Sequence, residues 1–195
     1  MLKRLFDILS SLAVLIFILP LFILVSLLIM LDSKGGVFYK QIRVGQNAKK
    51  FELLKFRTMR PNSDQIQITV GNRDPRVTRI GYYLRKYKLD EIPQLINIIK
   101  GEMSVVGPRP EVPKYVENYT DKQKKVLTVK PGLTDFASLQ FVDESELLAK
   151  SENPERTYVE EILPQKLDLA LEYIEKRSFA LDLKLIFKTL HKIIR

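Results

Sequence analysis

The chain has no cysteine, no tryptophan and a single histidine, His191. Without cysteine there is no disulfide, no thiolate nucleophile and no cysteine-built metal centre. One histidine is too few for a histidine-rich zinc site, and its place near the end of the chain sets aside a Ser-His-Asp triad. His191 falls in a basic helical pattern near the end of the chain and reads as a surface residue. No internal repeat or low-complexity tract is visible. Chemistry is therefore left to carboxylates and cations.

Cations are abundant. The 195 residues carry a formal charge of +9, so the natural partners are anionic: nucleic acid, acidic lipid headgroups or a phosphorylated substrate. No nucleic-acid recognition motif or aromatic-interleaved basic patch supports the first. The charge is uneven. Residues 34–88 hold fourteen Lys or Arg against Glu52, Asp64 and Asp74, whereas residues 143–161 hold seven acids against Lys150 and Arg156.

Residues 8–31 form a run of twenty-four without a charge. At about 1.5 Å per residue, a straight helix of that length crosses a roughly 30 Å hydrocarbon layer. The run is too long for a cleaved signal peptide and no small-residue cleavage motif follows it. Pro20 sits mid-run and removes a backbone hydrogen bond, which predicts a kink. Ser10, Ser11 and Ser26 are placed to satisfy backbone groups freed near it. Both flanks are basic, Lys3 and Arg4 before and Lys34, Lys40 and Arg43 after, although Asp7 and Asp32 dilute the pattern. Two readings stay open: a span with a tolerated proline, and a re-entrant bend that keeps both flanks on one side.

Beyond Gly35-Gly36 the pattern predicts strands at 37–44 and 51–59 with a turn between them. Phe51, Leu53, Lys55 and Arg57 then share one face, a surface suited to phosphate. Residues 60–73 read as a loop. Thr78 is a candidate N-cap for a helix to about residue 88, and a second helix runs to Lys100, where Gly101 stops it. A short strand at 103–106 and a rigid Gly107-Pro108-Arg109-Pro110 turn follow, the prolines aiming the Arg109 fork. A polar helix at 111–125, a strand at 126–129, a turn at 130–132 and an irregular acidic segment at 142–157 come next. Pro164 opens a helix to about residue 176. A basic amphipathic helix closes the chain, with Leu183, Ile186, Phe187, Leu190, Ile193 and Ile194 on its apolar face. Such a helix lies in a membrane interface or packs on the core.

The stretch Lys88-Leu89-Asp90-Glu91-Ile92-Pro93-Gln94-Leu95 holds the best candidates for chemistry. Pro93 suits a first helical turn, which puts Asp90 and Glu91 at a helix N-terminus, where phosphates bind and where acids also serve as plain caps. Carboxylates repel phosphate unless a divalent cation sits between them, and Mg²⁺ takes one or two carboxylates plus phosphate oxygens. A carboxylate can also be the nucleophile of an acyl-phosphate route.

The chain resembles the bacterial sugar transferases, the monotopic phosphoglycosyl transferases. The resemblance rests on Lys3, Arg4 and Asp7, the proline-broken apolar run, Phe51-Glu52-Leu53-Leu54-Lys55-Phe56-Arg57-Thr58-Met59 and Asp74-Pro75-Arg76-Val77-Thr78-Arg79-Ile80-Gly81. It continues through Leu89-Asp90-Glu91-Ile92-Pro93-Gln94-Leu95, Met103-Ser104-Val105-Val106-Gly107-Pro108-Arg109-Pro110, Lys130-Pro131-Gly132-Leu133-Thr134 and Asp182-Leu183-Lys184. Two departures stand out: Leu19 precedes the proline where Ser is common, and Asp135-Phe136 follow Thr134 where Gly is common.

The resemblance implies transfer of a sugar-1-phosphate from a UDP-sugar to a polyprenyl (undecaprenyl) phosphate, with release of UMP and an aspartyl intermediate. Asp90 would be the nucleophile. Asp90 and Glu91 would hold Mg²⁺, and Arg85, Arg109, Lys55 and Arg57 would contact phosphates. It implies a re-entrant helix broken at Pro20 over residues 1–34. Residues 35–195 would form a cytoplasmic α/β domain, leaning to α+β, with a short, mostly antiparallel sheet and interfacial helices. The location would be the cytoplasmic face of the bacterial cell membrane. Expected partners are the UDP-sugar, the polyprenyl phosphate, the bilayer, downstream glycosyltransferases and a second copy of the chain. The alternative is a non-catalytic basic adaptor at the membrane surface.

Overall fold

The computed structural model describes residues 2–61, 74–141 and 143–194, so most of the expected loop at 60–73 lies outside the described residues. The apolar run is two helices, α1 (Leu2–Phe17) and α2 (Leu19–Asp32), meeting at a 65° bend. Pro20 lies in the first turn of α2 and has no N–H to offer the Ile16 carbonyl, so the chain turns there. No single helix is long and apolar enough to cross a membrane; the bent pair together has the length and composition. Ser10 and Ser26 do not serve the break. Their hydroxyls donate at 2.7 Å to the Phe6 and Phe22 carbonyls one turn back.

The bent pair drapes over the rest of the chain. Its inner side buries Asp7, Ser11, Val25 and Ile29, and its outer side exposes Leu5, Leu9, Leu12, Ile16, Phe17 and Leu24. Both ends are fastened. Lys3 donates to Asp182 at 2.5 Å, Arg4 to the Ile98 and Ile99 carbonyls, and the buried Asp7 carboxylate accepts from Ser104 Oγ at 2.8 Å and the Val105 amide at 3.1 Å. At the other end Asp32 accepts from the Ile80 amide at 3.0 Å.

Two small sheets follow rather than one. Strands β1 (Phe38–Val44) and β2 (Lys50–Phe56) pair antiparallel, with Gln41 opposite Leu53. The turn between them places Asn47 and Ala48 at positive φ. The expected alternation holds within β2: Phe51 and Leu53 pack beside Leu95 and Ile98, while Phe56 is buried on the opposite side, against Phe22 and Leu84. Strands β3 (Ser104–Val106) and β4 (Gly132–Thr134) pair in parallel, a short exception beside the longer antiparallel pair that was expected. Residues 126–129 are not a strand. They fall largely within a 3₁₀ helix (Gln123–Thr128), and Gly132 takes the pairing. Gly107 and Gly132 make this possible: a Cβ on Gly132 would lie 2.1 Å from the Gly107 nitrogen.

The remaining elements are helical. Thr78 caps α3 (Arg79–Lys86), accepting from the Gly81 amide at 3.0 Å, and α4 (Gln94–Lys100) stops at Gly101, φ 91°. The polar segment at 111–125 yields only α5 (Pro113–Val116) before that 3₁₀ helix. After α6 (Phe136–Gln140), the acidic segment is ordered rather than irregular, as α7 (Glu144–Ala149) and α8 (Pro154–Thr157). A π-turn leads into α9 (Leu163–Lys176), and α10 (Phe179–Ile194) ends the described chain. Helix α10 both packs and exposes: Leu185 is buried beside Val106 and Tyr173, while Phe187 and Leu190 are exposed.

Candidate active site

Asparagine 97 sets the site's frame. From α4 it accepts from the Leu54 amide at 3.0 Å and donates to the Glu52 carbonyl at 2.7 Å, closing the free edge of β2. That packs the end of β2 against the turn before α4. The turn is a 3₁₀ helix (Leu89–Glu91) entered through Lys88 in the left-handed region, φ 54°. Asp90 and Glu91 therefore precede α4 by a turn instead of starting it. The amides of Glu91 and Ile92 are already bonded to Lys88 and Leu89 carbonyls, so the expected free helix N-terminus is not there.

Glu91 gathers cations. Its Oε1 accepts from Lys55 Nζ at 2.9 Å and from Arg109 Nη2, and its Oε2 from Arg109 Nη1 at 3.2 Å. Burial alone would raise this carboxyl; Arg109 and Lys55 outweigh it and hold it well below the usual range. Arg109, through the same pairing, is held above its ordinary value against the opposing cost of burial. Its turn is fixed by Asp135, 1% exposed, whose Oδ2 accepts from the Arg109 amide at 3.1 Å.

Asp90 is the contrast. It is 7% exposed, and among the described residues none donates a hydrogen bond to its carboxylate. Burial pushes it up, opposed by Lys55; Glu91 adds to the rise and Arg85 opposes it. Arg85, largely buried, is itself lowered by desolvation, with Asp90 and Asp74 working the other way. So Lys55, Arg85 and Arg109 converge on the carboxylate pair. Arg57 does not. Its guanidinium donates to Gly36 O, Ser33 O, Ser33 Oγ and Lys34 O, which caps the C-terminal end of α2.

These groups face a cavity of about 1310 Å³. Lys55, Asp90, Glu91 and Arg109 line its charged part. Val14 of α1 with Ile186 and Leu190 of α10 line an apolar part. Pattern reading missed Arg43, Glu111, Tyr115 and Tyr158, which line a third part. Only Glu111 carried a signal, as the residue after the Pro-Arg-Pro turn. Among the described residues no group of three or more His, Cys, Asp or Glu is placed to hold a metal.

The fold thus brings a buried carboxylate, converging cations and apolar side chains of α1 and α10 to the wall of one cavity. The chain belongs to the bacterial sugar transferase family, which it matches over residues 1–195. It is 36% identical to the undecaprenyl-phosphate glucose phosphotransferase of Komagataeibacter xylinus, over 98% of this chain and 36% of that protein. It is 36% identical to the exopolysaccharide production protein ExoY of Sinorhizobium fredii, over 96% of this chain and 83% of that protein. The Escherichia coli UDP-glucose:undecaprenyl-phosphate glucose-1-phosphate transferase is 34% identical, over 98% and 40%. The chain thus spans well under half the length of the first and third of these relatives.

Proposed function

We propose that the chain is a phosphoglycosyl transferase that moves a sugar-1-phosphate from a UDP-sugar to a polyprenyl phosphate by two displacements at Asp90. In the first, an Asp90 oxygen attacks the phosphorus that bears the sugar. The bond from that phosphorus to the UMP phosphate oxygen breaks, and UMP leaves. In the second, a phosphate oxygen of the lipid acceptor attacks the same phosphorus and Asp90 departs as a carboxylate. The product is a lipid-linked diphosphosugar for downstream glycosyltransferases, the first membrane step of a surface glycan such as an exopolysaccharide.

The observation that carries this reading is the buried Asp90 carboxylate, to which none of the described residues donates a hydrogen bond, facing a cavity near Lys55, Arg85 and Arg109. An acid with no structural bond to make is costly in a fold and useful as a nucleophile. Arg109, Lys55 and Arg85 hold the phosphate oxygens and oppose the charge that builds as UMP leaves. Arg57 is left out of this set.

Asp90 and Glu91 would hold Mg²⁺ as hard oxygen donors, Asp90 through oxygens to which no described residue donates and Glu91 only through the lone pair of Oε2 that Arg109 leaves. When bound, the ion would offset the negative charge of the diphosphate.

The fastening of α1 and α2 supports a re-entrant membrane segment. Asp7 at one end and Asp32 at the other are both bonded to the same domain, so the two flanks stay on one side while the outer apolar face enters the lipid. The reading places that domain at the cytoplasmic face of the bacterial cell membrane.

The test is release of UMP from UDP-glucose or UDP-galactose by the purified chain with polyprenyl phosphate and Mg²⁺. Asp90→Asn should lose more than the roughly 10²–10⁴-fold of acid–base assistance. Without acceptor, a phosphosugar adduct on Asp90 should appear by mass. No UMP from either donor, with salt-sensitive vesicle binding intact, returns the adaptor reading.

A further inference from the structure

The cavity has a polar region that the transfer chemistry leaves unused. It begins one residue past the Arg109-Pro110 turn. Glu111 Oε1 accepts from Arg43 Nη1 at 2.9 Å and from the Val112 amide at 2.7 Å, and Oε2 accepts from the Tyr158 hydroxyl. Arg43 Nη1 also donates to the Pro110 carbonyl at 3.0 Å, which ties the cluster to the turn that aims Arg109. Tyr115 completes the group. It lines the cavity, it is 5% exposed, and its hydroxyl has no hydrogen-bond partner among the described residues.

A buried hydroxyl without a partner is uncommon because it forfeits its hydration for nothing. On a cavity wall, the partner it lacks is something that enters the cavity. Burial, helped by Glu155 and Glu111, pushes the Tyr115 phenol up to about 12, so it stands as a proton donor at any working pH. Glu111 Oε2 takes one bond of the two it can accept, which leaves an acceptor on a residue that lines the same cavity.

We infer that this region is the subsite for the sugar ring of the donor, with Tyr115 and Glu111 reading its hydroxyls. The inference rests on the role given to Asp90 above. The attacked phosphorus bears the sugar, so the sugar stays in this cavity beside Asp90 after UMP leaves. A nucleobase fits poorly, since it seeks an open aromatic face. The Tyr115 and Tyr158 rings pack on each other at 5.2 Å and 47° and are both deeply buried, so they offer the cavity no open aromatic face. Arg43 balances Glu111, which suits an uncharged ring.

Tyr115→Phe tests this cleanly. It deletes an oxygen that makes no hydrogen bond among the described residues, so the melting temperature should hold or rise. With whichever of UDP-glucose and UDP-galactose the wild type turns over, KM for the donor should rise about ten-fold. Inhibition by UMP should not change. Among singly deoxygenated forms of that donor, one should lose about ten-fold on the wild type and nothing further on Tyr115→Phe, since both changes delete the same bond. Unchanged KM for the accepted donor overturns the inference, as does an equal weakening of UMP inhibition, which would assign Tyr115 to the nucleotide. A wild-type chain that releases no UMP from either donor overturns the transfer reading as well, so the two failures are told apart.

Discussion

Arg109 and Glu91 meet as fork and carboxylate, Nη1 on Oε2 at 3.2 Å and Nη2 on Oε1, with Lys55 sharing Oε1 at 2.9 Å. One acid thus holds two cations from distant parts of the chain at the edge of the cavity. The acid thereby fixes in advance the two cations to which phosphate binding is ascribed above.

Removing the fork should cost stability as well as catalysis. Arg109→Ala leaves Glu91 with Lys55 alone, and the expected loss is about 2–3 kcal/mol. That is below the 3–5 kcal/mol of a fully buried pair because the Arg109 side chain is 31% open to water. The pH dependence has a definite sign. Glu91 is lowered from its ordinary 4.5 in the folded state, so the unfolded chain takes up a proton first as pH falls. Its contribution is complete above about pH 4.5 and is lost below it. Denaturant melts of wild type and Glu91→Gln between pH 7 and pH 3 check this: their stability difference should shrink on acidification.

Asp90 should behave in the opposite sense in catalysis. Burial raises it, and the nucleophile is the ionised form, so the acid limb of kcat/KM should lie above that of an ordinary aspartate. Lys55 is the largest influence pulling it back down. Lys55→Met should therefore move the limb to higher pH as well as weakening donor binding. A limb that stays put, or moves to lower pH, would separate Lys55 from Asp90.

Some of this was legible before any coordinates. The order of short motifs picked out Asp90, Glu91, Lys55, Arg85 and Arg109, which the fold brings to one place. What failed was whatever depended on distant partners. The alternation through Phe51, Leu53, Lys55 and Arg57 says nothing of Phe22, which arrives from α2 and covers Phe56 on the other side of β2. Likewise Val126 to Val129 has the composition of a strand. Only the close approach of Gly107 to Gly132, more than twenty residues apart, gives the pairing to residues 132–134 instead. Tyr115 and Glu111 joined the site through tertiary contacts that no local pattern announces.

Arg57 makes that difference measurable. The hydrogen bonds of its guanidinium all go to the segment just past α2, so Arg57→Ala should lower the melting temperature, by an amount equivalent to about 2–4 kcal/mol, as those buried charge-assisted bonds are lost. In molecules that remain folded, KM for the donor should stay within about two-fold of wild type. A large KM effect with an unchanged melting temperature would restore Arg57 to the phosphate-binding set.

The absence of cysteine makes the membrane reading accessible to single-site labelling. Leu2→Cys and Lys34→Cys bracket the bent pair at exposed positions, and Phe17→Cys marks the bend, where the side chain is 87% exposed in the protein alone. Asp7 and Asp32 fasten the two ends to one domain, so Leu2→Cys and Lys34→Cys should both react with a membrane-impermeant maleimide in inside-out vesicles and both be silent in intact cells. Phe17→Cys should be silent in each until detergent is added, because the exposed apolar face belongs in lipid. Pro20→Ala restores the missing N–H toward the Ile16 carbonyl and should straighten the break, yet the fastened ends should keep Leu2→Cys and Lys34→Cys on the same side. Labelling of the two ends from opposite sides in the wild-type background would make the segment a span and detach it from the domain contacts that define its bend.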